Sequence, residues 1–263
     1  VFNMVLQVTS GLTIRSAPRR TVVDAETYRT LSGMVIIPAS SLKGALRHAA
    51  CYAARSLGLT CCGRKSPQSM IQRHRLLASK GLGLCYHDES SGTDIPLCHV
   101  CGLFGSTYYR SPLIVEDAAP ADEVVNTVLL PGLEIDDYSG TASRGKLYLR
   151  EVIVPGTFFT TRISVDLGRL EALLRPGQAG CGSAKPMSRE ERCWWLRLMA
   201  SAIGLLEAIG IGSGSVRAWI TSMELDGERV AEPRRVVEHL GCDDEVVGML
   251  REVWLSGGTI GLY

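Results

Sequence analysis

Lys43 and Arg47 lie four residues apart in Ile37-Pro38-Ala39-Ser40-Ser41-Leu42-Lys43-Gly44-Ala45-Leu46-Arg47, which reads as a strand end, a turn and a helix start. Ser40 or Ser41 can cap such a helix, and the i, i+4 spacing puts both cations on one face. Cations are unusual in a first turn, because the dipole's positive end and its unpaired N–H groups favour anions. With Gly44 to admit another backbone, these residues have the chemistry of a phosphate seat. An ordinary capped helix with two solvated cations is the other reading.

A second group is soft. Cys85-x-His87 and, ten residues on, Cys98-x-x-Cys101 put four donors within seventeen residues. That set suits a structural zinc with no open coordination position. His99 and the Cys61-Cys62 pair are substitute ligands, and coincidental buried cysteines are the alternative. Cys51, Cys181, Cys193 and Cys242 read as core or incidental residues. Nine scattered cysteines do not form a disulfide framework, so reduced thiols are expected.

Charge is divided along the chain. Residues 1–80 hold twelve Lys/Arg against Asp24 and Glu26, a net of +10, and residues 81–263 hold sixteen against twenty-five carboxylates, a net of −9. Between Glu26 and Asp88 there are nine cations and no carboxylate. This is a footprint for a polyanion or for the acidic face of a neighbour, and it suits head-to-tail stacking. No run approaches the roughly 20 apolar residues that cross a bilayer. No signal-peptide pattern is visible, so a cytoplasmic protein without membrane partners is expected. Little Asn and Gln beside frequent Arg and Val hints at a thermophile.

The elements that must carry these groups follow from hydrophobic period. Phe2–Thr9 alternates as a strand and an Arg-rich loop to Arg20 follows. Ser40–Leu57 is an amphipathic helix with Leu42, Ala45, Leu46, Ala49 and Ala53 inward. A basic excursion over Cys61–Lys80 holds a short helix near Ser69–Ser79, and Cys85–Cys101 looks irregular. Ser111–Ala118 is a strand, and 119–146 reads as a long loop or hairpin. Lys146–Val154 and Thr157–Val165 pair around Pro155-Gly156. Ser188–Ile209 is a second long helix capped by Ser188, Ser215–Leu225 a strand and Arg234–Trp254 a helical tail. The order is β-α-β-β-α-β with insertions, an α+β chain of ferredoxin-like arrangement.

Further stretches join the first. Cys98-His99-Val100-Cys101-Gly102-Leu103-Phe104-Gly105-Ser106 leads into Ser111–Ala118. Gly132-Leu133-Glu134-Ile135-Asp136 precedes Ser139-Gly140-Thr141-Ala142, Gly145-Lys146-Leu147-Tyr148 and Glu151 to Gly156-Thr157-Phe158. Ile209-Gly210-Ile211-Gly212-Ser213-Gly214-Ser215-Val216 comes near the end. In this order they resemble the RAMP superfamily of CRISPR-associated proteins, and within it the backbone subunits of type III effector complexes, the Csm and Cmr systems. The resemblance covers roughly 20–225.

It implies an RNA-recognition-motif-like core over a single domain, 1–263. Insertions fall at about 58–105 (basic, zinc-binding) and 119–146, the latter a thumb hairpin. Copies would stack head to tail with other effector subunits along a guide RNA (crRNA) whose bases pair with target RNA. Ser40, Ser41, Lys43 and Arg47 would hold guide phosphates, with Arg19, Arg20 and Arg217 as further RNA contacts. Gly210, Gly212 and Gly214 would lie where RNA backbone passes close. An aspartate just before the Ile-Pro-x-Ser-Ser-Leu-Lys-Gly motif cleaves the target in such subunits. Here that is Asp24, with Glu26 as alternate, acting through Mg or Mn or by positioning a 2′-hydroxyl.

Departures are Ala39 for a usual glycine, Asp137 for a common arginine, and a short glycine loop with only Arg217 nearby. His48 and His74 could do acid–base work on RNA, although a packed or solvated His48 is the ordinary reading. Three other readings stay open: a non-catalytic assembly or capping subunit, a precursor guide-RNA processing endonuclease, and a zinc-stabilised module docking an acidic protein.

Overall fold

Strand β1 (Phe2–Val8) turns Phe2, Met4, Leu6 and Val8 inward and Asn3, Val5 and Gln7 outward. That is the period-two pattern of a strand covered on one face. The computed structural model describes residues 1–15, 23–62, 84–88, 93–106, 109–135, 142–174 and 189–255. Strands β4 (Leu113–Val115), β5 (Ala119–Pro120), β8 (Phe158–Val165), β9 (Val216–Leu225) and β10 (Glu228–Val230) join β1 in one sheet. Its order is β10-β9-β1-β8-β4, with β5 also on β8, and every pairing is antiparallel. In this register Val5 lies between Thr160 and Trp219. The chain is thus α+β, as expected.

Two long helices pack against the sheet. Helix α1 (Ala39–Ser56) buries Leu42, Leu46, Ala49, Ala50, Ala53 and Ala54. Its alanines let α4 (Arg189–Gly204) approach, and Phe2 of β1 meets Trp195 of α4 edge-on at 6.2 Å. Burial of each such leucine contributes about 1.5–3 kcal/mol. Three short helices are added, α2 (His99–Phe104), α3 (Leu167–Leu174) and α5 (Leu206–Ile209), of which α2 buries Val100, Cys101, Leu103 and Phe104 in the same core. Helices α6 (Pro233–Leu240) and α7 (Asp244–Glu252) split the expected single tail at Gly241, which adopts a left-handed conformation. The expected helix at 69–79 and the Ser188 cap lie outside the described residues. Among the described residues no helix is long and apolar enough to cross a membrane.

Several expectations are corrected. Ser40 and Ser41 sit inside the first turn of α1 and do not cap it; the cap position is Pro38. The Asp117 carboxylate, 78 residues away in sequence, accepts the Ala39 N–H at 2.6 Å. Lys146–Val154 does not pair with Thr157–Val165. Strand β7 (Ala142–Ile153) pairs instead with β6 (Thr127–Ile135) in a separate two-stranded arm, while β8 is taken by β1, β4 and β5. Cys85–Cys101 is not irregular: β2 (Leu84–Asp88) and β3 (Thr93–Pro96) form a hairpin followed by α2. The thiols are not all reduced either, since Cys51–Cys61 and Cys193–Cys242 are disulfides. The first forms because Gly58, at φ +68°, reverses the chain after α1 and returns it to the helix. The second ties α4 to the turn between α6 and α7. Cys181 lies outside the described residues.

Candidate functional site

Four segments far apart in sequence converge at the root of the β6–β7 arm. Residues 23–29 run beside β7: Asp24 and Ala25 donate N–H bonds to the Leu149 carbonyl, and Glu151 N–H donates to Ala25. Asp24 is exposed, and its Oδ2 accepts the Leu149 N–H at 2.8 Å, which fixes the carboxylate beside the arm. Glu26, by contrast, is buried.

Two residues beyond Leu149 lies a buried acid. Glu151 accepts from the Arg29 guanidinium, from the Thr127 hydroxyl at 2.8 Å and from the Thr27 N–H at 3.2 Å. Burial would raise its pKa, but these hydrogen bonds and the Arg29 charge outweigh burial and hold it below the ordinary carboxylate value. The Thr13 hydroxyl donates to the Glu151 carbonyl at 2.7 Å, so the loop after β1 joins the same root.

The glycine loop completes the assembly. Ser213 N–H donates to the Thr13 carbonyl at 3.2 Å, and Thr13 N–H to the Ser213 hydroxyl at 3.2 Å. A Cβ on Gly214 would stand 2.7 Å from the Gly11 oxygen and from Leu12 Cα, and one on Gly210 would stand 2.7 Å from the Gly214 oxygen. Gly212 abuts the Thr13 carbonyl at φ +58°. The loop is therefore glycine-rich for a reason within the chain, the close approach of 11–13. Gly214→Ala is expected to destabilise by about 1–3 kcal/mol, because the obstructing atoms are backbone; equal denaturant midpoints for variant and parent would refute this packing. Arg217, after the loop, is exposed and held by Glu207 at 2.8 and 2.9 Å, its guanidinium 6.0 Å from the centre of the Trp219 ring.

The cations of α1 face another corner. Lys43 is half-buried and donates to the Ser111 hydroxyl at 2.9 Å and the Leu113 carbonyl at 2.6 Å. Burial, then the neighbouring Arg47 charge, lowers its pKa. Arg47 donates to the Gly105 carbonyl at 2.9 Å and to Cys101 Sγ at 3.1 Å. Lys43 and Arg47 thus share a face as their spacing requires, and that face ties α1 to α2 and β4. Ser40 is exposed and Ser41 half-buried at the helix start. A Cβ on the exposed Gly44 would meet no described atom within 4 Å, so no backbone among the described residues explains that glycine. His48 packs against Tyr52 with ring centres 5.1 Å apart. Arg19, Arg20 and His74 lie outside the described residues.

Arg47 leads to the sulfur cluster. The sulfurs of Cys62, Cys98 and Cys101 lie within 4.8 Å of one another, with Cys62 and Cys101 at 3.5 Å. Cys98 caps α2, accepting the Cys101 N–H at 3.4 Å. Three soft donors facing one point, with a guanidinium to offset thiolate charge, can hold a metal ion. Cys98 and Cys101 are thus brought together as their spacing implied, with Cys62 beside them. Cys85 and His87 lie on β2, and their side chains are outside the described residues. His99 is engaged elsewhere: its Nδ1 accepts the Thr60 N–H at 3.0 Å.

Sequence reasoning missed Glu151, Thr13 and Ser213 as parts of the root. Glu151 stood in the sequence only as the start of the stretch to Gly156-Thr157-Phe158 and Ser213 only within the glycine loop, with no role given to either. The RAMP superfamily model matches residues 5–217, which is most of the chain, and the protein belongs to that superfamily. Membership supports a CRISPR-associated, RNA-binding role. No curated protein matches the chain.

Proposed function

We propose that this protein is a guide-RNA-binding backbone subunit of a cytoplasmic type III CRISPR effector complex, which holds RNA phosphates and cleaves paired target RNA through Asp24. The observation that carries this reading is the arm root, where an exposed carboxylate is fixed beside the strand of a two-stranded projection. The sheet order β9-β1-β8-β4, with α1 and α4 as crossovers, supports a ferredoxin-like core elaborated by insertions in one domain. Val128, Leu129, Leu130 and Tyr148 are exposed on the arm, which supports a thumb that contacts guide, target or a stacked copy.

In this reading Asp24 holds the RNA 2′-hydroxyl in line with the neighbouring phosphate, and the Leu149 N–H fixes its rotamer. A Mg²⁺ or Mn²⁺ ion bound by Asp24 and RNA phosphate oxygens would stabilise the developing charge. Structural zinc would be held by Cys98 and Cys101 with Cys62, Cys85 or His87. Because Lys43 and Arg47 also bond inside the chain, guide phosphates meet them at the rim of α1 beside Ser40 and Ser41. Arg19, Arg20, Arg217 and the Gly210–Gly214 loop extend the path.

The test is titration of RNA-stripped protein with labelled single-stranded RNA at two salt concentrations, against scrambled RNA and matching DNA. Binding is expected to prefer RNA, tolerate sequence and weaken with salt in proportion to the phosphates neutralised. Gly44→Ala should keep or raise stability, by up to about 1 kcal/mol, while weakening RNA binding. No RNA binding by the subunit at low salt or in the assembled complex would refute the reading. The inward bonds of Lys43 and Arg47 and the Glu207–Arg217 pair favour, as second reading, a non-catalytic assembly subunit, for which target cleavage would not depend on Asp24.

A further inference from the structure

Five cysteines gather between α1 and α2, in two chemical states. Cys51 and Cys61 are joined in a disulfide, and the adjoining Cys62 belongs to the thiol cluster with Cys98 and Cys101. The two ligands on α2 and its cap are fixed by a helical turn. Cys62 has no such support, since it stands on an irregular segment beyond α1. What fixes it is its neighbours. Cys61 is bonded to α1, and Thr60 is clamped to α2: its N–H donates to His99 Nδ1, its hydroxyl accepts the His99 N–H at 3.2 Å, and its carbonyl accepts the Val100 N–H at 3.4 Å.

Resting on the metal-site reading above, we infer that the Cys51–Cys61 disulfide is the positioning device of the thiol site, so that the site binds metal more tightly when this disulfide is closed. The sign is opposite to that of a site whose own ligands oxidise, where oxidation expels the metal. Closing the bridge removes the freedom of the Cys62 backbone before a metal arrives, so less order must be gained on binding. Reduction removes the covalent tie and leaves Cys62 held through the Thr60 bonds to His99 and Val100 and its own contact with Cys101. With a water-soluble trialkylphosphine, phosphorus attacks one sulfur and the S–S bond breaks. Water then supplies the oxygen that ends on phosphorus and the two protons that end on Cys51 and Cys61.

The probe is Co²⁺ alone, whose thiolate absorption bands report sulfur ligation independently of any activity. The full chain is titrated with its bridges closed, after phosphine reduction, and as Cys51→Ser/Cys61→Ser. A Cys193→Ser/Cys242→Ser protein controls for loss of the other bridge. Reduction and the Cys51→Ser/Cys61→Ser change should each weaken binding about tenfold, the scale for loss of support behind a metal ligand, while the control keeps the parent affinity. Equal affinity in all states overturns the inference but leaves the metal site standing. So does tighter binding on reduction alone, which would make Cys61 a ligand. No thiolate band in any state overturns the metal reading itself. If circular dichroism shows the double variant unfolded, the phosphine comparison in the parent chain decides.

Discussion

Glu151→Ala is expected to lower the stability of the fold by about 3 kcal/mol, the lower end for breaking a buried ion pair. For a chain of this length that corresponds to a fall in Tm of roughly 6–12 °C. The side chain of Glu151 is 5% exposed and that of Arg29 26%, so water only partly replaces the lost partner. Three donors from two segments, Thr27 and Arg29 of 23–29 and Thr127 of β6, lose their acceptor together. Glu151→Gln keeps the shape but not the charge and should cost less, about 1–2 kcal/mol. The two variants also separate in acid. Because the folded pKa lies below the unfolded value, ionised Glu151 contributes fully above about pH 4.3, and the contribution is lost as pH falls through the folded value. Parent stability should therefore fall more steeply over that window than that of Glu151→Gln. Parallel acid-unfolding curves would sink this account of the root.

What could be read from the sequence is what local pattern determines. The alternation of Phe2–Val8 and the inward stripe of α1 specify one face each, and both elements begin and end within a residue or two of expectation. The cap of α1 was illegible because its acceptor, Asp117, is reached only through the sheet. A serine at a helix start competes with any carboxylate the fold brings near. The partner of β7 was misread for a related reason. Pro155-Gly156 is a sound turn signal and the chain does turn there, with Gly156 at φ +89°. It sends the chain out of the arm into the core, where Gly156 N–H donates to Val8. A turn signal fixes a change of direction, not the partner of the strand before it.

The candidate sites divide the same way. Cys98 and Cys101 belong to one turn of chain, so their spacing alone brings them together, whereas Cys62 arrives from a segment 36 residues earlier through the reversal at Gly58. The glycine loop was legible as a place of close approach. What approaches is residues 11–13 of the same chain, which no local pattern could reveal. Asp24 shows the limit most clearly: its residue type and position before α1 were readable, but its attachment to Leu149 and its nearness to the buried Glu151 exist only once the arm folds back along 23–29.

That attachment makes Asp24 separable into two parts, a fixed hydrogen-bond acceptor and a charge. Asp24→Asn keeps an oxygen that can accept the Leu149 N–H and removes the charge, whereas Asp24→Ala removes both. In the assembled complex with guide RNA, both are expected to slow cleavage of paired target by about 10²–10⁴-fold, the range for a positioned acid–base group. Guide binding should be retained, because the phosphate contacts proposed above involve other residues. Asp24→Asn, at an exposed position, should change stability by no more than about 0.5 kcal/mol. Single-turnover cleavage, measured with guide affinity and a melting curve for each protein, tells the outcomes apart. Loss of cleavage in both variants with affinity and stability intact makes the carboxylate catalytic. Full cleavage by Asp24→Asn would mean that only the acceptor matters and that Asp24 shapes the arm root. Cleavage and guide affinity falling together would move Asp24 from the chemistry to the RNA-holding surface.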